Sequence, residues 1–171
     1  MRAMRIRPFD PGDTDWLVER HQTLYAEAEG FDATFGPLVR SILEDFAARH
    51  DPAREAGWIA EEGGRLGSIF CVRGPEDLAK LRLFLLVPEA RGRGLGGQLL
   101  DTCLSFAKAR GYAGLTLWTH ESHRAACALY ARRGFTCTRS APVHSFGVDL
   151  VEQTWTLRWD GDLQSRGAGS N

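Results

Sequence analysis

The chain is 171 residues long, 43% hydrophobic and 25% charged, and its 21 basic and 22 acidic side chains leave a formal net charge of −1. That balance excludes a disordered or collagen-like polypeptide and supplies no global field for nucleic acid or an anionic membrane. A chain of this size buries about 70% of its unfolded surface, enough for one core without disulfide or metal staples.

Met4 to Phe9 reads as a short strand, broken by Asp10-Pro11-Gly12 before Asp13 or Thr14 caps a helix. Leu17, His21, Leu24, Tyr25 and Ala28 share one face of that helix, which stops at Gly30. In the next, Leu38, Val39, Ile42, Leu43, Phe46 and Ala47 keep the 3.6-residue period up to Asp51-Pro52. The period then changes. Trp58-Ile59-Ala60 and Leu66 to Val72 form a hairpin around Gly63-Gly64, and after a turn at Gly74 to Asp77 a third strand follows. There Leu81, Leu83, Leu85 and Val87 alternate with Lys80, Arg82, Phe84 and Leu86, giving one buried and one partly polar face.

A glycine-rich loop leads into an amphipathic helix with Leu95, Leu99, Cys103, Phe106 and Ala107 on its inner stripe, ending at Gly111. Leu115 to Trp118 is a strand. Ser122 caps a helix that carries Ala126, Leu129 and Tyr130 and ends at Gly134. From Phe135 the chain returns to strand, and Val151, Gln153, Trp155, Leu157 and Trp159 alternate in the last one. Residues 1–160 read as one domain and 161–171 as a flexible polar tail. Cys71, Cys103, Cys127 and Cys137 lie in apolar stretches without a CxxC pairing, so reduced buried thiols and no metal are expected. The N-terminus lacks the apolar middle of a signal peptide, and no run approaches the roughly 18 apolar residues of a membrane span. A cytoplasmic protein without membrane or nucleic-acid partners is the expectation.

The strongest chemical signal is Arg91-Gly92-Arg93-Gly94-Leu95-Gly96-Gly97, between a buried strand and a helix start. Glycines let backbone approach closely, and the unpaired amides and dipole of a helix start favour a phosphate. The spacing also satisfies the GxGxxG of dinucleotide-binding proteins. There, however, the glycines follow a parallel strand directly and an acid ends the next one. Here Gly92 lies five positions after Val87, the preceding strands form an antiparallel meander, and Leu115 to Trp118 does not end on an acid. A Walker loop is excluded, since no Gly-Lys-Ser/Thr follows.

Arg91-Gly92-Arg93-Gly94-Leu95-Gly96 resembles the Arg/Gln-x-x-Gly-x-Gly/Ala signature of the GNAT superfamily of N-acetyltransferases. A second motif of that family, Asn-x-x-Ala-x-x-Leu-Tyr ending in Gly-Phe, is matched by His123 to Tyr130 and Gly134-Phe135, with His123 where Asn is common. The order of elements is similar too, so the resemblance covers nearly the whole chain. It implies a mixed, mainly antiparallel sheet of about seven strands flanked by four helices, in the order βααβββαβαββ. It also implies acetyl-CoA as cosubstrate and a small-molecule or peptide amine as acceptor. In such a protein the amides of Gly92 to Gly97 hold the pyrophosphate with Arg91 and Arg93 nearby. The pantetheine arm runs along Leu85, Leu86 and Val87 and meets His123. A backbone N–H near Leu86 or Val87 faces the developing oxyanion, and Tyr130 gives a proton to sulfur. His120 and Glu121 are the candidate bases. C-terminal strands often pair in the family, so a homodimer is among the expected assemblies. The rival reading is a catalytically weak acyl-CoA-binding module with a regulatory role.

Overall fold

A computed structural model describes residues 3–159; the expected tail at 161–171 lies outside them. The strands are β1 (Arg5–Pro8), β2 (Ala56–Glu61), β3 (Arg65–Arg73), β4 (Leu78–Leu86), β5 (Gly114–His120), β6 (Thr136–Ser145) and β7 (Val148–Arg158). The helices are α1 (Thr14–Glu29), α2 (Phe35–Arg49), α3 (Leu95–Ala109) and α4 (Arg124–Arg132). The strands form one sheet in the order β1-β2-β3-β4-β5-β7-β6, so the expected mixed architecture is present.

Two cores lie on opposite faces. On one, α3 and α4 cover Ile69, Cys71, Ala79, Leu81, Leu115 and Leu117 with Leu99, Cys103 and Tyr130. On the other, α1 and α2 place Leu17, Val39 and Leu43 against Ile59 and Phe70. Leu38, grouped with the inner stripe of α2 in sequence, is exposed instead. Asp13 does not cap α1: its buried carboxylate accepts from Arg7 at 2.9 and 2.8 Å and from Arg65 at 2.8 Å, pinning α1 to β1 and β3. Burial alone would raise that carboxyl, but Arg7, the Asp10 amide and Arg65 hold it down to about 2.

β4 departs from the simple alternation read in sequence. Phe70 pairs with Arg82 and Ser68 with Leu85, so Ile69 alone faces both Leu83 and Phe84. Leu83 takes a φ of +48° to make this bulge. The extra residue sends Leu83 to the α1/α2 core, while Leu81 and Phe84 pack on the other. Beyond the bulge β4 leaves its neighbour: the β4–β5 pairing, parallel among antiparallel ladders, runs only from Leu78↔Gly114 to Leu81↔Leu117. β7 is paired on both sides, by β5 and β6, and Trp155, Leu157 and Trp159 pack on the protein's own core. Of the cysteines, Cys71 and Cys103 are buried and Cys127 half-buried, but Cys137 is exposed on β6, which has β7 on one side only.

Candidate active site

The loop before α3 forms a row of free backbone donors. Gly92 and Gly94 take φ of +77° and +78°, and nothing lies within 4 Å of where a Cβ would stand on either. The Arg91 amide donates to the Pro88 carbonyl, and the next amide with a backbone acceptor is that of Gln98, to the Gly94 carbonyl at 3.2 Å. The intervening N–H groups are the concave nest and helix start that suit a phosphate. Arg93 does not add free charge there, because its guanidinium is bonded to Glu62. A Cβ on Gly97 would meet the Arg133 guanidinium at 2.7 Å, so that glycine makes room for the Arg133–Asp101 pair behind the loop.

From this loop a cleft of about 440 Å³ runs between the free end of β4 and the start of α4. Leu85, Leu86, Arg91, Gly96 and His123 line it, joined by Leu24, Tyr25 and Glu29 of α1. Val87 and Leu95 are buried instead, packed together around Ala90. The Val87 amide donates to the Leu66 carbonyl at 2.8 Å, so it is not free to meet an oxyanion. Antiparallel ladders alternate, which leaves the Leu86 N–H directed away from β3 and toward the gap.

At the far end, Glu29 meets His123 Nε2 at 3.2 Å and accepts from the Ser122 hydroxyl at 2.8 Å. Ser122 therefore does not cap α4; His123 stands at that position. The Thr119 hydroxyl is 3.3 Å from His123 Nδ1, an arrangement that places the His123 proton on Nε2, facing Glu29. His120 stacks edge-on against His123 and Phe31, and its buried Nδ1 has no partner among the described residues. Burial holds both imidazoles below their ordinary pKa, opposed by Glu29 and, at His120, by Glu152, which it faces across the β5–β7 ladder. Both rings are therefore neutral at pH 7. Glu121 is exposed and only its backbone is engaged, with the Val151 carbonyl.

Tyr130 is buried behind the cleft wall, its ring 6.3 Å from Phe84, with no hydrogen-bond partner for its hydroxyl among the described residues. Burial pushes that phenol well above its ordinary pKa, and the Tyr25 phenol up to about 12. Thus Leu85, Leu86, Arg91, Gly96 and His123 share one cleft with the open amides. Tyr25 was read in the sequence only as part of a helix face, and Glu29 was not singled out. Their only signal is helical spacing: both continue the stripe begun by Leu17 and His21 to the residue before Gly30.

A sheet parted at its parallel step, with a helix start of open amides on one lip of the gap, is the acetyltransferase fold of solved structures. The N-acetyltransferase from Staphylococcus aureus Mu50 superposes with a TM-score of 0.74 at 18% identity, over 91% of this chain and 98% of that one. Arabidopsis thaliana NAA60, solved in complex with acetyl-CoA, gives 0.69 at 15% identity, over 93% and 100%. Residues 16–135 match the model of the acetyltransferase (GNAT) family, and the chain belongs to that family. Among curated relatives, the mycothiol acetyltransferase of Thermomonospora curvata is 32% identical over 160 residues, 89% of this chain and 48% of that protein. N-acetyltransferase family 8 member 2 of Rattus norvegicus is 30% identical over 129 residues, 70% and 57%. The chain spans about half the length of the curated relatives it matches.

Proposed function

We propose that the chain is an N-acetyltransferase that moves an acetyl group from acetyl-CoA to a primary amine by direct attack within a ternary complex, in a domain spanning residues 1–160. The observation that carries this reading is the run of acceptor-free amides between Gly92 and Gly97, opening onto a cleft bounded by the free end of β4. Open space at the Cβ positions of Gly92 and Gly94 fits a diphosphate at the loop, with Arg91 beside it. The unpaired side of β4 at Leu85 and Leu86 fits an amide-bearing arm lying alongside as an added strand. His123 faces the same cleft, in the place where the family's motif carries Asn, with its ring N–H held by Glu29.

The chain's own groups then divide the chemistry. His120, neutral and with an unpartnered Nδ1, takes the proton that the attacking amine loses as its nitrogen bonds to the acyl carbon. The Leu86 N–H stabilises the negative charge that grows on the acyl oxygen. As the carbon–sulfur bond breaks and its electron pair leaves with sulfur, the Tyr130 hydroxyl donates a hydrogen bond, and then a proton, to the thiolate. Burial keeps the phenol protonated for that task. Support for His120 over Glu121 comes from their settings, one half-buried against His123 of the cleft wall and the other exposed.

The test is release of free thiol from acetyl-CoA in the presence of a panel of primary amines, with acetylated products identified by mass spectrometry. Thiol release that depends on amine, with the product acetylated at nitrogen, is expected. Tight binding of acetyl-CoA with no turnover on any amine would leave only the non-catalytic binding module.

A further inference from the structure

α1 and α2 cover one face of the sheet only as far as Leu83. Next to that cover the same face is open and charged. Ala79 and Leu81 point into the α3/α4 core, so Lys80 and Arg82 point the other way; Leu115 and Leu117 likewise turn Thr116, Trp118 and His120 to this side. Trp118 is 63% exposed, and the Lys80 ammonium lies 3.5 Å from the centre of its ring. A large, exposed indole on a central strand is held there against the hydrophobic effect, with a cation on its face.

Lys80 and Arg82 are both half-buried, and neither has a hydrogen-bond or ion-pair partner among the described residues. Glu152 faces Lys80 and Asp45 faces Arg82, each beyond ion-pair distance. Burial and the charge of Arg82 hold the Lys80 pKa below its ordinary value, and burial does the same to Arg82. Two adjacent, partly desolvated cations whose facing carboxylates stand beyond ion-pair distance are an unfavourable arrangement in the protein by itself, and an anion placed between them relieves it. Two residues along β5, His120 and its neighbour Glu152 mark the end where an amine is deprotonated. That separation is on the order of 7 Å.

We propose that the acceptor is an amine that also carries an anionic group, a carboxylate or a phosphate, held by Lys80 and Arg82 beside Trp118 while the amine points to His120 and Glu152. The proposal rests on the N-acetyltransferase reading above and names the acceptor class for that site. Glu152 and Glu29 receive the ammonium before it loses its proton, the indole forms a flat wall for the carbon chain, and the cation pair sets the register.

A matched series decides it: hexylamine, 6-aminohexanoate and a 5-aminopentyl phosphate, each assayed for kcat/KM with acetyl-CoA and for equilibrium binding to the protein saturated with CoA. The expected result is a preference of roughly 10-fold or more for the two anionic amines, the scale of one charge-assisted hydrogen bond. The carboxylate and phosphate arms tell the two sources of charge apart. Lys80→Met with Arg82→Met brings the ratio of anionic to neutral amine to about one, and Lys80→Arg retains it, with folding of each variant checked by thermal unfolding. Turnover of all three amines at similar kcat/KM by the wild type overturns the acceptor class and leaves the transferase reading intact. A binding preference without turnover of any amine overturns the transferase reading, and the acceptor class with it.

Discussion

At Tyr130 a buried phenol has aromatic neighbours in Phe84, Phe135 and Trp155 and, among the described residues, nothing to bond its hydroxyl. Tyr130→Phe keeps those ring contacts, so fold and acetyl-CoA affinity should persist. Only the proton offered to sulfur is lost, and kcat on the best amine should fall roughly 10²-fold. Steady-state kinetics on both proteins check this; an unchanged kcat with chemistry rate-limiting would return Tyr130 to the core. His21 makes a different kind of prediction. Its Nδ1 is 2.7 Å from the Leu17 carbonyl, its Nε2 is buried without a partner among the described residues, and burial lowers its pKa to about 4. The unfolded chain protonates this ring near pH 6.5 while the folded one does not. Stability should therefore be unaffected by His21 above that pH and decline between about 6.5 and 4, by up to ~3 kcal/mol. Denaturant unfolding from pH 7 to 4 should show a shallower decline in His21→Leu than in the wild type.

The start of α3 is the element on which cosubstrate affinity depends most. An aspartate at Gly94 would be strained at φ +78° and would place a negative charge among amides that await a phosphate. Gly94→Asp should weaken acetyl-CoA binding by at least 10²-fold while costing the fold only about 1–2 kcal/mol, since the position is open to solvent. Calorimetric titration and thermal unfolding of the same sample separate the two effects, and undiminished affinity would move the phosphate away from this loop. This element was readable in the sequence because glycines, a preceding buried strand and a following amphipathic stripe are all local signals. β4 was readable only in part. The bulge at Leu83–Phe84 leaves no mark in a run of alternating leucines, because it is imposed by pairing with β3 and by the two cores that claim Leu83 and Phe84. Ser122 shows the same limit: its capping signature is local, but its hydroxyl is taken by Glu29, 93 residues away in the chain.

On the scale of the whole molecule, the site joins the end of α1, the free end of β4, the loop before α3 and the turn from β5 into α4. The element order foretold this meeting as a matter of family likeness, yet Glu29, and the place of Tyr25 at the site, entered only with the packing of α1 beside α4. The charged face at Lys80 and Arg82 was equally hidden. In sequence the two cations look like the solvated side of an amphipathic strand, and only the place where α1 and α2 stop shows that they are half-covered and without a direct ion pair.

The parting of β4 from β5 also bears on how the protein survives at high concentration. Edge strands elsewhere invite other chains to add on, and a sheet with unpaired amides in its middle would be expected to aggregate. Here the free end of β4 lies within a cleft walled by α1 and α4, too confined for a foreign strand with neighbours of its own. The fold can thus present naked main chain to a slender ligand while withholding it from other polypeptides.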